Sequence, residues 1–523
     1  MRRSCAGRDG EHRLSFQVRI KQLEDVSLAR SCRRLHHHVF SLLQRAHCLL
    51  LPQIGNNQSH LKSLNHPARC CNVVALQWPA SRRFVRQALS TRNDGHSFTP
   101  AAFRCYHDTA MRTLFAVFAI SSGLAVAREA ALIQTASTPE STRAQVTIEN
   151  WDKGGTLSHW VYTHVSEVFP SAVIRRGGAI IDLPAQLRPE IGGLKLNKPG
   201  EPEQTLDQFV NNGAVDGVVV LHGGKIVYEK YPTIQRDDLH IIMSVTKAVV
   251  LTALAILEDQ GEVDLSKRVE NYLPELKGSD WAGTPLRDLV DMRSGMEGAE
   301  TSIDAYRNPR HKQFQLEATL GWQPRTASEL PAAARHGDLL AFFRTIKRER
   351  PAGEKWAYTS SNTAVIGEVV SRVTRKSLAD TISDLIWSKM GAEHDATLAE
   401  NERGYPASHA GMSATLRDIA RFGLLFTKNP PAGQAHVVSD AIIKRIFAGY
   451  GNEQVPDEHG MVPRTYEWDM ISDKGELAKG GWAGQLLYIN RDKDVVITWF
   501  GTNQVADPKP EPLPCRIIAK TFF

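Results

Sequence analysis

Two strand-forming segments, one near residue 220 and one close to the C-terminus, bracket a long run of helical patterns. That ordering constrains the fold more than any other feature of the chain. Residues 215–231 (VDGVVVLHGGKIVYEKY) hold two β-rich runs separated by Gly223-Gly224, a pair that a two-residue hairpin turn favours. Residues 486–489 and 495–500 flank Asn490-Arg491-Asp492-Lys493-Asp494 and predict a second hairpin. Between the hairpins, apolar spacing predicts helices over 244–260, ending at Gly261, and over 363–374, 378–390 and 415–427. Thr415-Leu416-Arg417-Asp418 opens the last of these as a capping box. The expected class is α+β: an antiparallel sheet built from both termini of the domain, packed with helices, plus a helical region.

Charge and cysteine divide the chain unevenly. Net charge over the 523 residues is +6, but residues 1–110 carry 17 Lys/Arg against 6 Asp/Glu, leaving 46 basic and 51 acidic residues from 111 onward. Six of the seven cysteines fall in the same first 110 residues, and Cys515 is the exception. They form no CxxC…CxxC or CxxC…HxxxH frame with the His36-His37-His38 run, so no metal module is expected there. From 111 onward no basic patch has the density that a phosphate backbone demands, which argues against nucleic acid as a partner. Met111-Arg112-Thr113 precedes the apolar run 114–127, which ends Ala125-Val126-Ala127, the build of a secretory signal peptide cleaved after Ala127. The run is short for ~30 Å of hydrocarbon, so no stable membrane anchor is expected. Residues 1–110 are then expected to be upstream read-through outside the mature protein. Residues 111–127 are the signal peptide, 128–150 a linker and 151–523 the domain, exported to the periplasm or beyond.

The chemistry concentrates at His240-Ile-Ile-Met-Ser244-Val-Thr-Lys247, which runs into a long apolar helix whose one internal charge is Lys247. Spacing of i, i+3 puts Ser244 and Lys247 on one face. An ammonium buried in apolar surroundings loses proton affinity and can act as a base toward the hydroxyl. The positive end of the helix dipole lies beside the serine, where an oxyanion would form. A serine cap with a snorkelling lysine satisfies the same pattern. Two further segments bear on the choice. Trp356-Ala357-Tyr358-Thr359-Ser360-Ser361-Asn362 precedes another apolar helix, and Lys479-Gly480-Gly481-Trp482-Ala483-Gly484-Gln485 opens the C-terminal hairpin. Glycines at that place let a substrate lie against a strand edge, with a backbone N–H aimed at its acyl oxygen.

The order SxxK, Tyr, K-x-G resembles the serine β-lactamase and penicillin-recognising superfamily. Within it, the chain is most similar to the class C β-lactamase-like branch of esterases and 6-aminohexanoate-dimer hydrolases. The resemblance runs from about Trp151 to Gly501 and includes Tyr272-Leu-Pro-Glu-Leu276, Leu289-Val-Asp-Met-Arg-Ser-Gly295 and Ser413-Ala-Thr-Leu-Arg-Asp418. It implies a β-lactamase/transpeptidase-like fold, with Ser244 as the acylated nucleophile, Lys247 as its activating partner and Tyr358 as a proton shuttle. The N–H groups of Ser244 and Trp482 would form the oxyanion hole, on a substrate strand carrying Lys479 and Gly481. Tyr306 sits where the nylon-oligomer hydrolases have a substrate-contacting tyrosine, and Asn362 is a second candidate for substrate contact. Two positions depart from the lactamase pattern. Ser360 stands two after Tyr358 where Y-x-N has Asn, and the third motif is Lys-Gly-Gly instead of Lys-Thr-Gly, so efficient β-lactam hydrolysis is not expected.

The expected activity is hydrolysis of a small-molecule ester or amide through a serine acyl-enzyme, with no metal or cofactor. A DD-peptidase or β-lactamase, and a non-catalytic binding or sensor protein of the same fold, are the alternatives. Oligomeric state is not legible in the sequence.

Overall fold

The computed structural model describes residues 139–196, 203–212, 215–434, 436–448, 465–472, 474–502 and 513–523. The expected signal peptide and everything before it lie outside these residues. In chain order the strands of the two larger sheets are β1 (Ser171–Ile174), β2 (Val215–His222), β3 (Lys225–Lys230), β4 (His240–Ile241) and β5 (Ala396–Ala399). They continue as β6 (Met412–Ala414), β7 (Met470–Ile471), β8 (Glu476–Gly481), β9 (Gln485–Asn490) and β10 (Val495–Gly501). Six form an antiparallel sheet in the order β3-β2-β10-β9-β8-β7. Both predicted hairpins are in it. Gly223 and Gly224 turn the first with φ of 55° and 73°, the left-handed pair that a two-residue hairpin requires. β2 lies beside β10, so the two ends of the domain meet in the middle of one sheet.

A second, four-stranded sheet runs β1-β5-β6-β4. The sequence reading expected one sheet. The second consists of strands of two to four residues, too short for a period of two to be recognised. It matters to the site because β4 leads directly into Ser244.

The helices that bear on the site and its scaffold are, in chain order, α1 (Pro139–Gln145), α2 (Val245–Asp259), α3 (Ser360–Thr374), α4 (Leu378–Ile382), α5 (Leu416–Leu424) and α6 (Leu513–Phe522). α1 lies within the expected linker, and Arg143 Nε donates to the Glu167 carbonyl 2.9 Å away, so ordered structure begins before Trp151. α4 stops at Ile382 and passes into a π-turn over Ser383–Trp387, where one helix was expected to run on. The expected capping box at Thr415 is half formed. Thr415 Oγ1 accepts from Asp418 N at 3.1 Å and donates to Asp418 Oδ2 at 2.9 Å, and the carboxylate takes Glu393 N and His394 N as its main-chain donors.

α2 is buried on every side from Val245 to Leu257 because it lies between α3 and strands β8 and β9. Each fully buried Leu or Ile contributes about 1.5–3 kcal/mol, so its position is fixed far more firmly than any surface contact could fix it. The opposite face of the large sheet packs under α6, with Val218, Val220, Tyr488, Ile497, Cys515 and Ile518 in one apolar cluster. Among the described residues no helix is long and apolar enough to cross a membrane.

Candidate active site

The chain enters α2 through a tight turn. Met243 holds a left-handed backbone (φ 46°), an uncommon state for a residue with a side chain that costs about 1–3 kcal/mol. Ser244 follows at the helix N-terminus and is half-buried. One turn on, Lys247 is wholly buried, and its Nζ has three oxygen partners: Ser244 Oγ at 3.1 Å, Ser360 Oγ at 3.0 Å and the His409 carbonyl at 2.9 Å. Burial lowers its ammonium to about 8; the charge of Lys479 adds to this, and that of Glu300 opposes it. A lysine in this state has a substantial amine fraction near neutrality. The amine can then accept a hydrogen bond from Ser244 Oγ–H, reversing the direction of donation.

Tyr358 stands between two lysines. Lys247 Nζ lies 5.0 Å and Lys479 Nζ 4.7 Å from its ring centroid, and Lys479 also donates to the Tyr358 hydroxyl at 3.4 Å. Ser244 stands close enough to that hydroxyl to ease its ionisation slightly. Burial holds the phenol well above its usual value, and Asp469 and Glu300 push the same way, so Tyr358 keeps its proton at neutral pH. The two groups are thus set apart in protonation, a lysine that gives up its proton more readily than usual and a phenol that keeps its own. Glu300 ties the far side together. It accepts from the Tyr306 hydroxyl and from Ser360 N at 2.7 Å, while its own N–H donates to the Tyr358 carbonyl at 2.9 Å. The Tyr306 ring leans on Trp482, with centroids 4.8 Å apart.

β8 brings its end against the serine because Gly481 has no side chain. A Cβ there would stand 2.7 Å from the Ile242 carbonyl oxygen and 3.0 Å from Met243 Cβ, in the turn that delivers Ser244. That close approach sets the end of β8 beside the turn that delivers Ser244. Gly481→Ala is expected to push the strand end outward and reduce turnover of an ester about 10–100-fold, mostly in kcat, with an intact fold. Steady-state rates within twofold of the unsubstituted protein would show that the close approach does not set the donor.

Of the residues singled out in the sequence, Ser244, Lys247, Tyr358, Lys479, Gly481, Trp482 and Tyr306 come together here. Asn362 does not. It is fully buried on another side of α3, with its amide nitrogen 3.4 Å from Met292 Sδ. Helix geometry explains the difference: α3 begins at Ser360, which faces Lys247, and two residues further turn the chain by about 200° to the opposite side. Glu300, Asp469 and the His409 carbonyl were not found from the sequence. A main-chain oxygen has no residue type to recognise, and the two acids lie in segments without a motif. Among the described residues, Asp237, Glu393 and His394 are the group that could hold a metal ion, but Arg236 and Arg421 already pair with their carboxylates and none belongs to the Ser244 cluster.

The profile of the Beta-lactamase family matches residues 203–514, which span the large sheet, α2, α3 and every residue of the cluster. The chain belongs to the beta-lactamase family. It is similar to 6-aminohexanoate-dimer hydrolase of Paenarthrobacter ureafaciens, 27% identical over 367 residues that make up 69% of this chain and 88% of that protein. A Bacillus anthracis structure assigned as a 6-aminohexanoate-dimer hydrolase superposes with a TM-score of 0.61 at 24% identity, covering 72% of this chain and 95% of the other. The expected β-lactamase/transpeptidase-like fold is therefore the observed one, and the chain is a serine hydrolase of this family, related to a 6-aminohexanoate-dimer hydrolase.

Proposed function

We propose that this hydrolase cleaves a small carboxylic ester or amide through an acyl-enzyme on Ser244. The observation that carries the reading is the placement of Lys247: wholly buried, one turn from the serine and bonded to Ser244 Oγ, Ser360 Oγ and the His409 carbonyl. Its amine takes the Ser244 proton as Oγ attacks the acyl carbon. The resulting oxyanion is held by the N–H groups of Ser244 and Trp482. When the tetrahedral adduct collapses, the alcohol or amine leaves with a proton from the Tyr358 hydroxyl, which is replenished from the Lys247 ammonium. Water then enters, gives its proton through the same pair and releases the acid, restoring Ser244. No step calls on a metal or cofactor. Export is part of the proposal and rests on the Met111–Ala127 pattern.

Intact-mass spectrometry of the native protein after brief exposure to a p-nitrophenyl ester tests both points. The expected result is one acyl adduct on Ser244, continued release of nitrophenol, and a chain beginning after Ala127. Saturable binding without adduct or turnover would favour a non-catalytic binding protein, and a persistent penicillin adduct would favour a DD-peptidase.

A further inference from the structure

Two lysines and three carboxylates gather around Ser244. Lys247 and Lys479 are both wholly buried. The Lys479 ammonium is already committed, to Asp469 Oδ1 and to the Tyr358 hydroxyl. Asp469 is anchored a second time, its Oδ2 accepting from Gly480 N at 2.9 Å, yet its side chain remains 40% exposed. Glu300 is half-buried beside Tyr306, and a third carboxylate, Glu467, is buried with the lysines and accepts from Thr363 Oγ1. Solvent therefore reaches the Asp469 and Glu300 carboxylates, whereas both lysines are closed off from it.

We infer that Asp469 occupies the place on Lys479 that an anionic substrate would take, and so restricts the site to acyl donors that are neutral or cationic around the scissile bond. This rests on the acyl-enzyme reading and names the substrate class for that same site. The physical basis is twofold. A cation whose hydrogen-bonding capacity is met by an internal carboxylate offers little to a second one, and a fixed negative charge in the cleft repels a like charge at close range. Recognition then falls to Tyr306, Trp482 and the strand edge, which offer rings and a backbone.

The test compares kcat/KM for phenyl acetate with that for 3-acetoxybenzoate, which carries a carboxylate on the leaving group, and for monophenyl succinate, which carries one on the acyl group. Asp469→Asn keeps the size and the amide contacts while removing the charge. It is expected to raise the anionic-to-neutral ratio about tenfold or more for at least one of the two anionic esters, whatever it does to the absolute rate. An unchanged ratio, within twofold for both, overturns the inference. In the unsubstituted protein, raising salt from low to about 0.5 M is expected to favour the anionic esters, since screening weakens repulsion; a fall in their relative rates would mean attraction and would overturn it without any variant. Absence of turnover and adduct with phenyl acetate itself would instead remove the acyl-enzyme reading on which the inference stands.

Discussion

Ser244→Ala is expected to abolish ester turnover, with a loss on the order of 10⁶ in kcat, the scale seen when a serine hydrolase loses its nucleophile. No adduct should appear by intact mass. The fold is expected to survive, because the Ser244 hydroxyl contributes one hydrogen bond to Lys247 while Ser360 Oγ and the His409 carbonyl retain the lysine. Losing one neutral-oxygen partner of an amine costs about 1 kcal/mol, a shift of a few degrees in Tm at most for a domain of this size. Turnover within tenfold of the unsubstituted protein, with an unchanged melting curve, would exclude Ser244 as the nucleophile.

Lys247→Met is the second large effect. A methionine fills much of the volume of the lysine stem but can neither accept nor return a proton. Loss of a positioned general base costs about 10²–10⁴, and a reduction near 10³ in kcat/KM is expected here. The pH dependence distinguishes a base from a merely structural charge. Burial, reinforced by Lys479 and opposed by Glu300, lowers the Lys247 ammonium to about 8. Only the amine accepts the serine proton, so activity toward a neutral ester should be small near pH 6, climb with pH and level off above about 8. In Lys247→Met the climb should disappear along with the rate. A profile that is flat from pH 6 to 9 in the unsubstituted protein would sink Lys247 as the base.

What could be read in advance follows a physical pattern. Both hairpins were legible because Gly223-Gly224 and the 490–494 turn interrupt runs of Val, Ile and aromatic residues. The second sheet was not, since strands as short as His240–Ile241 are held by their neighbours and carry no period of their own. α2 was legible as a helix from its apolar content, but the burial of its whole circumference depends on β8, β9 and α3 closing around it. Asn362 marks the limit of motif reading: a polar residue near Tyr358 looked available, and two steps along the helix turned it into the core.

The sequence by itself determined the local partners. Covalent spacing places Ser244 and Lys247 one turn apart in any helix, sets a tyrosine ahead of α3 and puts a run of glycines at the end of β8. Only the tertiary structure decided what these groups can do. It gave Lys247 its second and third oxygen partners from Ser360 and His409, set Glu300 between Tyr306 and Ser360, and pressed Gly481 against Ile242. It also placed Asp469 on Lys479. The physical reason is that hydrogen bonds and Coulomb forces act over a few ångströms of space, whereas the residues that supply them lie tens to hundreds of positions apart along the chain.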